Sequence, residues 1–328
     1  MRPPSRLETA LIRRVAAVFS RQNRSASLLV LIYHRVLAQP DALLPNEPDA
    51  VRFAAQIDVL RGAFNLLPLV EAVQRLRAGT LPARAACITF DDGYANNCEI
   101  ALPILLAKSV PATVFVATGF LDGGRMFNDT VIETVRHAPE SFDLSAFGIG
   151  TYSLGSMSAR VDVINQLLNR LKFLEPAERL QRIQQLADMT EAALPNNLML
   201  SSVQVQRLHR AGIEIGAHTI THPILTSVEP EYARQQIAAS KRVLQELLGS
   251  QVVSFAYPNG RPDRDYRAEH VAMARAAGFQ LAVSTAWGAA TVDSDPFQIP
   301  RVAPWDITPA RFGLRLAMAH RNRQFAVA

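Results

Sequence analysis

Three short segments concentrate side chains able to do hydrolytic chemistry. In Thr89-Phe90-Asp91-Asp92-Gly93-Tyr94 two adjacent carboxylates end an apolar run. Strands disfavour Asp, and neighbouring side chains on a strand point to opposite faces, so the two acids are expected to hold different roles. Asp-Gly read alone is an ordinary turn. In Gly216-Ala217-His218-Thr219-Ile220-Thr221-His222-Pro223 the two histidines stand four apart, and one helical turn would aim both at a single ion. Two imidazoles and a carboxylate suit zinc or a similar divalent metal and leave positions open for water. The competing reading is a pair of polar loop histidines. In Tyr33-His34-Arg35-Val36 a histidine ends the first apolar run and could act as a general acid; alone it reads as a half-buried His with its hydrogen bonds satisfied.

Other common chemistries lack their signatures. There is no Walker-type phosphate loop and no Gly-x-Ser-x-Gly elbow. Gly148-Ile149-Gly150 has Ser153 where a dinucleotide fingerprint needs its third glycine. Cys87 and Cys98 are too few for a disulfide framework or a four-thiolate zinc site, and both read as small core residues.

The elements that must position these residues follow from hydrophobic patterning. Short apolar runs at Leu28–Tyr33, Asn65–Leu67, Ala85–Phe90, Ala112–Ala117, Ile213–Ala217, Val252–Ala256, Gln280–Ser284 and Phe297–Val302 read as strands. Helical patterns fit between them at Ala50–Leu60, Leu69–Arg77, Ile100–Lys108, Pro230–Leu248 and Tyr266–Ala277. Such alternation predicts an α/β protein with a parallel sheet, and about eight strands favour closure into a barrel over an open sheet. Chemistry in such folds sits at the C-terminal ends of strands, where all three segments fall. Residues 121–197 break the alternation. A helix is expected from an Asn128-Asp129 cap to His137, a loop over Ser141–Ser158, and amphipathic helices over Val161–Phe173 and Ala177–Leu194. This stretch reads as a helical insertion in the barrel.

The 328 residues suit one large domain or a domain with an insertion, and 49% hydrophobic with 19% charged residues exclude a disordered or collagen-like chain. The net charge is +5, and only Lys108, Lys172 and Lys241 among the 34 basic residues are lysines. Arg2, Arg6, Arg13, Arg14, Arg21 and Arg24 precede the first strand against one acid, Glu8. Residues 1–27 therefore read as a basic amphipathic helix, with Leu7, Leu11, Ile12, Val15 and Val18 at helical spacing. Arg13-Arg14 interrupts the only stretch that resembles a signal peptide. The helix is expected to pack on its own domain or, through residues 1–24, to touch an anionic membrane. The remaining arginines are scattered, so no nucleic-acid partner is expected. A cytoplasmic location, peripheral on the inner membrane face, is the matching expectation.

Thr-Phe-Asp-Asp-Gly and His-Thr-x-x-His, in this order and at strand ends, resemble the first two motifs of the polysaccharide deacetylase (NodB-homology) proteins. Tyr-His-Arg-Val is similar to an early motif of the branch that includes the poly-N-acetylglucosamine deacetylases. The resemblance spans about Leu28–Val302 outside the insertion and implies a catalytic domain over 28–328. It implies a distorted (β/α) barrel of the NodB-homology type holding one divalent metal, zinc first and nickel or cobalt as alternatives. By the motif match Asp91 is the base, Asp92, His218 and His222 are the ligands, Thr219 braces their loop and His34 is the acid. A late Leu-x-x-His motif is not recognisable, although His320 stands near the C-terminus. Tyr257, Pro258 and Asn259 resemble the groove wall that offers a backbone N–H to the oxyanion. The family's arginine at the start of that motif is missing, and Arg301 is expected to replace it by orienting Asp91. Trp287 and Trp305 read equally as sugar platforms or core. The implied activity is hydrolysis of an acetyl group from an N-acetylated sugar of a glycan or glycan precursor. Its alternatives are an O-acetyl ester or a formamide on a lipid-linked sugar, and, in another class, non-catalytic glycan binding.

Overall fold

The computed structural model describes residues 1–20, 26–190 and 192–328. Arg21 and Arg24 of the basic N-terminal segment, and Glu191 in the expected second insertion helix, lie outside the described residues. The chain opens with α1 (Arg6–Phe19), β1 (Leu28–Tyr33), α2 (Ala50–Ala63), β2 (Asn65–Leu66), α3 (Leu69–Arg77), β3 (Ala85–Phe90), α4 (Leu102–Ala107) and β4 (Thr113–Val116). Then come α5 (Phe127–His137), β5 (Ser141–Asp143), β6 (Thr151–Ser153), α6 (Met157–Leu171), α7 (Pro176–Ala187) and α8 (Ser202–Arg210). The chain continues with β7 (Glu214–Ala217), α9 (Pro230–Leu248), β8 (Ser254–Ala256), α10 (Ala268–Ala276), β9 (Leu281–Val283) and α11 (Pro309–Ala319).

The main sheet runs β1-β3-β4-β7-β8-β9 with every pairing parallel. β2 pairs with the first two residues of β3, and β4 with its last two. The sheet curls, and the run Phe297–Val302, expected as a strand, instead supplies isolated bridges. Ile299 pairs with Val283 of β9 and Val302 with Leu31 of β1. That segment links the two sheet edges, so the α/β fold is a distorted barrel.

Side-chain parity on the strands sets two cores. Leu29, Leu31 and Tyr33 of β1 and Ala86, Ile88 and Phe90 of β3 face outward into a core shared with the surrounding helices. Leu28, Val30, Ala85, Cys87, Phe115, Ala256, Leu281 and Val283 face inward, and Leu69, Ala72, Val73 and Leu76 of α3 join them. Cys87 and Cys98 are buried free thiols, as expected of two cysteines too few for a framework. The interior is tight: a Cβ on Gly216 would stand 2.3 Å from the Phe115 ring. This inward parity, carried past the strand ends, aims the chemistry.

Residues 126–189 build a separate small core around Val131, Ile132, Phe142, Leu144, Val163, Leu167 and Leu186. Two expectations fail here. Ser141–Ser158 is not a plain loop, because β5 and β6 pair antiparallel as Phe142, Leu144, Phe147 and Leu154 bury into this core. Gly148 and Gly150 provide its left-handed turn positions. Asp129 does not cap α5: the helix starts at Phe127, and Asp129 pairs with Arg35 at 3.1 Å. Helices α8 and α11 were not expected. The N-terminal α1 packs on its own fold, with Ile12 and Ala16 buried and Ile12 seated against Gly313 of α11. Among the described residues no helix is long and apolar enough to cross a membrane.

Candidate metal centre and catalytic groove

Asp91 follows Thr89 on the inward side of β3, one residue past its end, and its N–H donates to the Tyr33 carbonyl at 2.9 Å. Its carboxylate meets the buried Arg301 guanidinium in a fork: Nη1 to Oδ1 and Nη2 to Oδ2, both 2.7 Å. Arg301 also donates Nε to the Ser284 carbonyl and Nη1 to the Thr89 hydroxyl, which fixes the plane of the pair. Burial alone would raise the Asp91 pKa; the Arg301 charge overrides it and holds the carboxyl below its usual range. Arg301 arrives on the segment that bridges β9 to β1, so barrel closure delivers it.

Asp92 turns the other way at φ 74°. Its Oδ1 lies 3.5 Å from His218 Nε2 and 3.4 Å from His222 Nε2. Burial opposes its ionisation, but the His218 hydrogen bond and the neighbouring His222 hold the carboxylate in its charged form. His218 extends the inward set of β7, after Glu214 and Gly216. Its Nδ1 sits 2.7 Å from the Ala256 carbonyl, which can only accept, so Nδ1 carries a proton and Nε2 is the nitrogen turned toward Asp92. Burial lowers the His218 pKa, and Asp91 with Asp92 more than offset that, leaving it raised. Burial pushes His222 down to about 3, so its ring is neutral at ordinary pH. Its Nδ1 is buried without a hydrogen-bond partner among the described residues.

The two histidines do not converge through a helical turn. The segment between them is a bend in which Thr219 (φ 64°) and His222 (φ 51°) are left-handed. The Thr219 hydroxyl donates to the His218 carbonyl at 2.5 Å and accepts from the His222 N–H at 3.1 Å, closing the loop from within. Gln236 of α9, unremarked in the sequence, closes it from outside, because its Oε1 accepts from the N–H groups of Ile220 (3.0 Å) and Thr221 (2.8 Å). A buried amide on the apolar stripe of α9, beside Ala233 and Ile237, was the available signal. Left-handed non-glycine residues at Asp92, Thr219, His222 and Asn259 concentrate strain at these strand ends.

These groups open into a cleft of about 660 Å³. His34, Asp91, Asp92, His218, His222, Asn259 and Arg301 all line it. Trp287 and Trp305 line it too and are exposed, which removes the core reading for both. Tyr257 and Pro258 do not line it. Tyr257 shares the parity of Phe255, points into the outer core and stacks on Tyr266 at 4.0 Å, so Asn259 is the residue of that trio at the groove. His320 lies at the other end of the barrel, bonded through Nδ1 to Ser27, the residue before β1. The groove also holds a wall the sequence reading missed. Arg35 bridges to Asp129, the Tyr94 hydroxyl donates to Asp129 Oδ1 at 3.3 Å, and Asn128 Nδ2 donates to Tyr94 at 3.1 Å.

The ligand atoms of Asp92, His218 and His222 lie within 4.8 Å of one another. A carboxylate and two imidazoles, one of them oriented by its hydrogen bond to the Ala256 carbonyl, fit a divalent ion. The fold and site thus define a distorted α/β barrel with a charged groove at its strand ends. The polysaccharide deacetylase family profile matches residues 78–145 and 151–282, well over half the chain, and the chain belongs to that family. The match runs through most of the segment read as an insertion and excludes both His34 and Arg301. YxkH of Bacillus subtilis (strain 168), a curated relative named for the same family, is 22% identical over 85% of this chain and 72% of its own. Among solved structures, Streptococcus pyogenes deacetylase PplD in complex with acetate matches with a TM-score of 0.60 at 18% identity, over 89% of this chain and 99% of its own. IcaB from Ammonifex degensii matches at 0.56 and 22% identity, over 90% and 97% respectively. Both likenesses carry the fold. Family membership makes the chain a hydrolase acting on carbohydrate, with deacetylation of a polysaccharide as its coarse activity.

Proposed function

We propose that the chain is a metal-dependent deacetylase that removes acetyl groups from N-acetylated sugars of a glycan. The observation that carries this reading is the meeting of three ligand atoms within 4.8 Å beside a carboxylate held by Arg301, in one groove with His34. Asp92, His218 and His222 would hold the ion, and zinc, nickel or cobalt suits this donor set. A bound divalent ion acts as a Lewis acid, polarising the acyl carbonyl and acidifying a water.

The chain's own groups do the rest. Asp91 is ionised across the neutral range and takes the proton from the attacking water through a lone pair not used by Arg301. Arg301 forbids rotation of that carboxylate and sets the direction of proton removal. The Asn259 backbone at the groove edge offers an N–H to the developing oxyanion. His34, from the end of β1, donates a proton to the leaving amine, which departs poorly without one. Trp287 and Trp305 supply exposed aromatic faces for sugar rings.

Metal content by elemental mass spectrometry and acetate release from N-acetylglucosamine oligomers test the assignment together. Wild type should hold about one ion per chain and release acetate. His222→Ala should lose the ion. Asp91→Asn should keep it and lose turnover by roughly a hundredfold or more. His34→Ala should depress amide cleavage more than cleavage of an activated ester, whose leaving group needs no proton. A metal-free wild type after reconstitution, or acetate release unchanged in Asp91→Asn, would overturn the reading.

A further inference from the structure

Helix α1 has two apolar stripes, and its own fold covers only one. Ile12 and Ala16 are buried against α11 and α2. Leu7, Leu11 and Val18 are 84%, 52% and 66% exposed. At the helical angle they fall within about 40° of one another, and about 120–160° round from the buried pair. Three large aliphatic side chains aligned in water on one short helix are an unusual expense for a surface that serves packing alone.

The charge beside the stripe is one-sided. Arg14 borders it, and Arg6 and Arg13 lie about 120–140° round the helix from its centre, on the side away from Ile12; all three are exposed. Arg2 pairs with Glu8, the only acid on the helix, at 2.7 Å. Arg6, Arg13 and Arg14 have no acidic partner among the described residues. The helix is held rigidly from behind. Ser5 and Glu8 form a capping box, and Ile12 fills the space above Gly313, where a Cβ would stand 2.4 Å from it. The stripe is therefore formed before any partner arrives, so binding costs little ordering.

We infer that the outer face of α1 is a docking surface for an anionic lipid bilayer. Leu7, Leu11 and Val18 would enter the acyl boundary, and Arg6, Arg13 and Arg14 would reach lipid phosphates on their flexible stems. An apolar stripe bordered by Arg14, on a helix whose unpaired exposed charges are all cationic, matches an anionic interface in both polarity and sign. A protein partner would have to supply both features in the same arrangement.

Co-sedimentation of the full chain with phosphatidylglycerol-containing vesicles and with pure phosphatidylcholine vesicles tests this. Binding is expected to the first and not the second, falling with added salt. A Leu7→Ser, Leu11→Ser, Val18→Ser variant should bind the anionic vesicles roughly tenfold more weakly or worse. An Arg6→Glu, Arg13→Glu, Arg14→Glu variant should not bind. These positions are exposed, so both variants should keep the wild-type melting temperature, and acetate release from soluble oligomers should stay unchanged. Equal binding to both vesicle types, or anionic binding that survives the serine variant, would overturn the inference. Self-association in sedimentation velocity that the serine variant abolishes would overturn it too, assigning the stripe to a second copy.

Discussion

At the scale of the residue, the groove sorts its carboxylates by their partners. Asp91 and Asp92 are adjacent in sequence, yet one is locked to Arg301 and the other faces two imidazoles. Asp129 is a third case. It is buried with Arg35 and Tyr94 on one oxygen and, among the described residues, no partner on Oδ2. Burial pushes its carboxyl from 3.8 up to about 7, against the Arg35 charge and helped by Asp92. The folded chain then holds a proton on Asp129 between about pH 4 and 7 that the unfolded chain has released. Linkage makes stability greatest below that window and lowers it as pH rises through it, by up to about 1.4 kcal/mol per pH unit. Asp129→Asn carries no such proton. Chemical denaturation at several pH values should show the wild-type slope lose this component in the variant, and identical slopes would refute the assignment.

Elements hold these residues at strand ends, and their support is uneven. Barrel parity positions Asp91 and His218 directly, because each continues the inward side of its strand. His222 depends on a bend between β7 and α9 whose backbone is tied by Thr219 and Gln236. Gln236→Leu preserves the volume and apolar stripe of α9 but removes the acceptor for two N–H groups. The loop should loosen, and metal affinity should fall by about tenfold or more, in the range seen when groups supporting a ligand are lost. Gln236→Glu retains an acceptor and should bind metal more tightly than the leucine variant. Equal affinities in a competition titration would mean that the bend is set by Thr219 alone. The Asp-Asp pair and the spaced histidines were readable from residue type and spacing. The bend was not, because left-handed Thr and His carry no local sequence mark, and the helical turn that the four-residue spacing invites is a different backbone.

On the scale of the whole molecule, closure and the N-terminal helix are long-range events. Arg301 reaches Asp91 across 210 positions of chain. It does so because Phe297–Val302 runs from β9 back to β1 as bridges rather than as a full strand. On the outside of the barrel, α1 completes the outer core through Ile12. Ile12→Ala should cost about 2–4 kcal/mol by deleting a fully packed side chain that abuts α11. Serine at the exposed Leu7 or Leu11 should shift stability by no more than about 0.5 kcal/mol. Urea unfolding of the three variants reads this contrast, and equal costs would mean that α1 is not docked as described.

The sequence alone determined which elements alternate, where the apolar strands end and which residue types gather at those ends. Periodicity and residue chemistry are local properties, and they are written in the order of the chain. Tertiary structure decided which of those residues share a groove. It joined Arg301 to Asp91, turned Tyr257 into the core and left Asn259 at the rim, and sent His320 to the far end of the barrel. It also built the Arg35–Asp129 wall and divided α1 between a buried stripe and an exposed one. Each of these depends on strand parity, sheet curl or helix rotation relative to distant neighbours, and no window of sequence contains those neighbours.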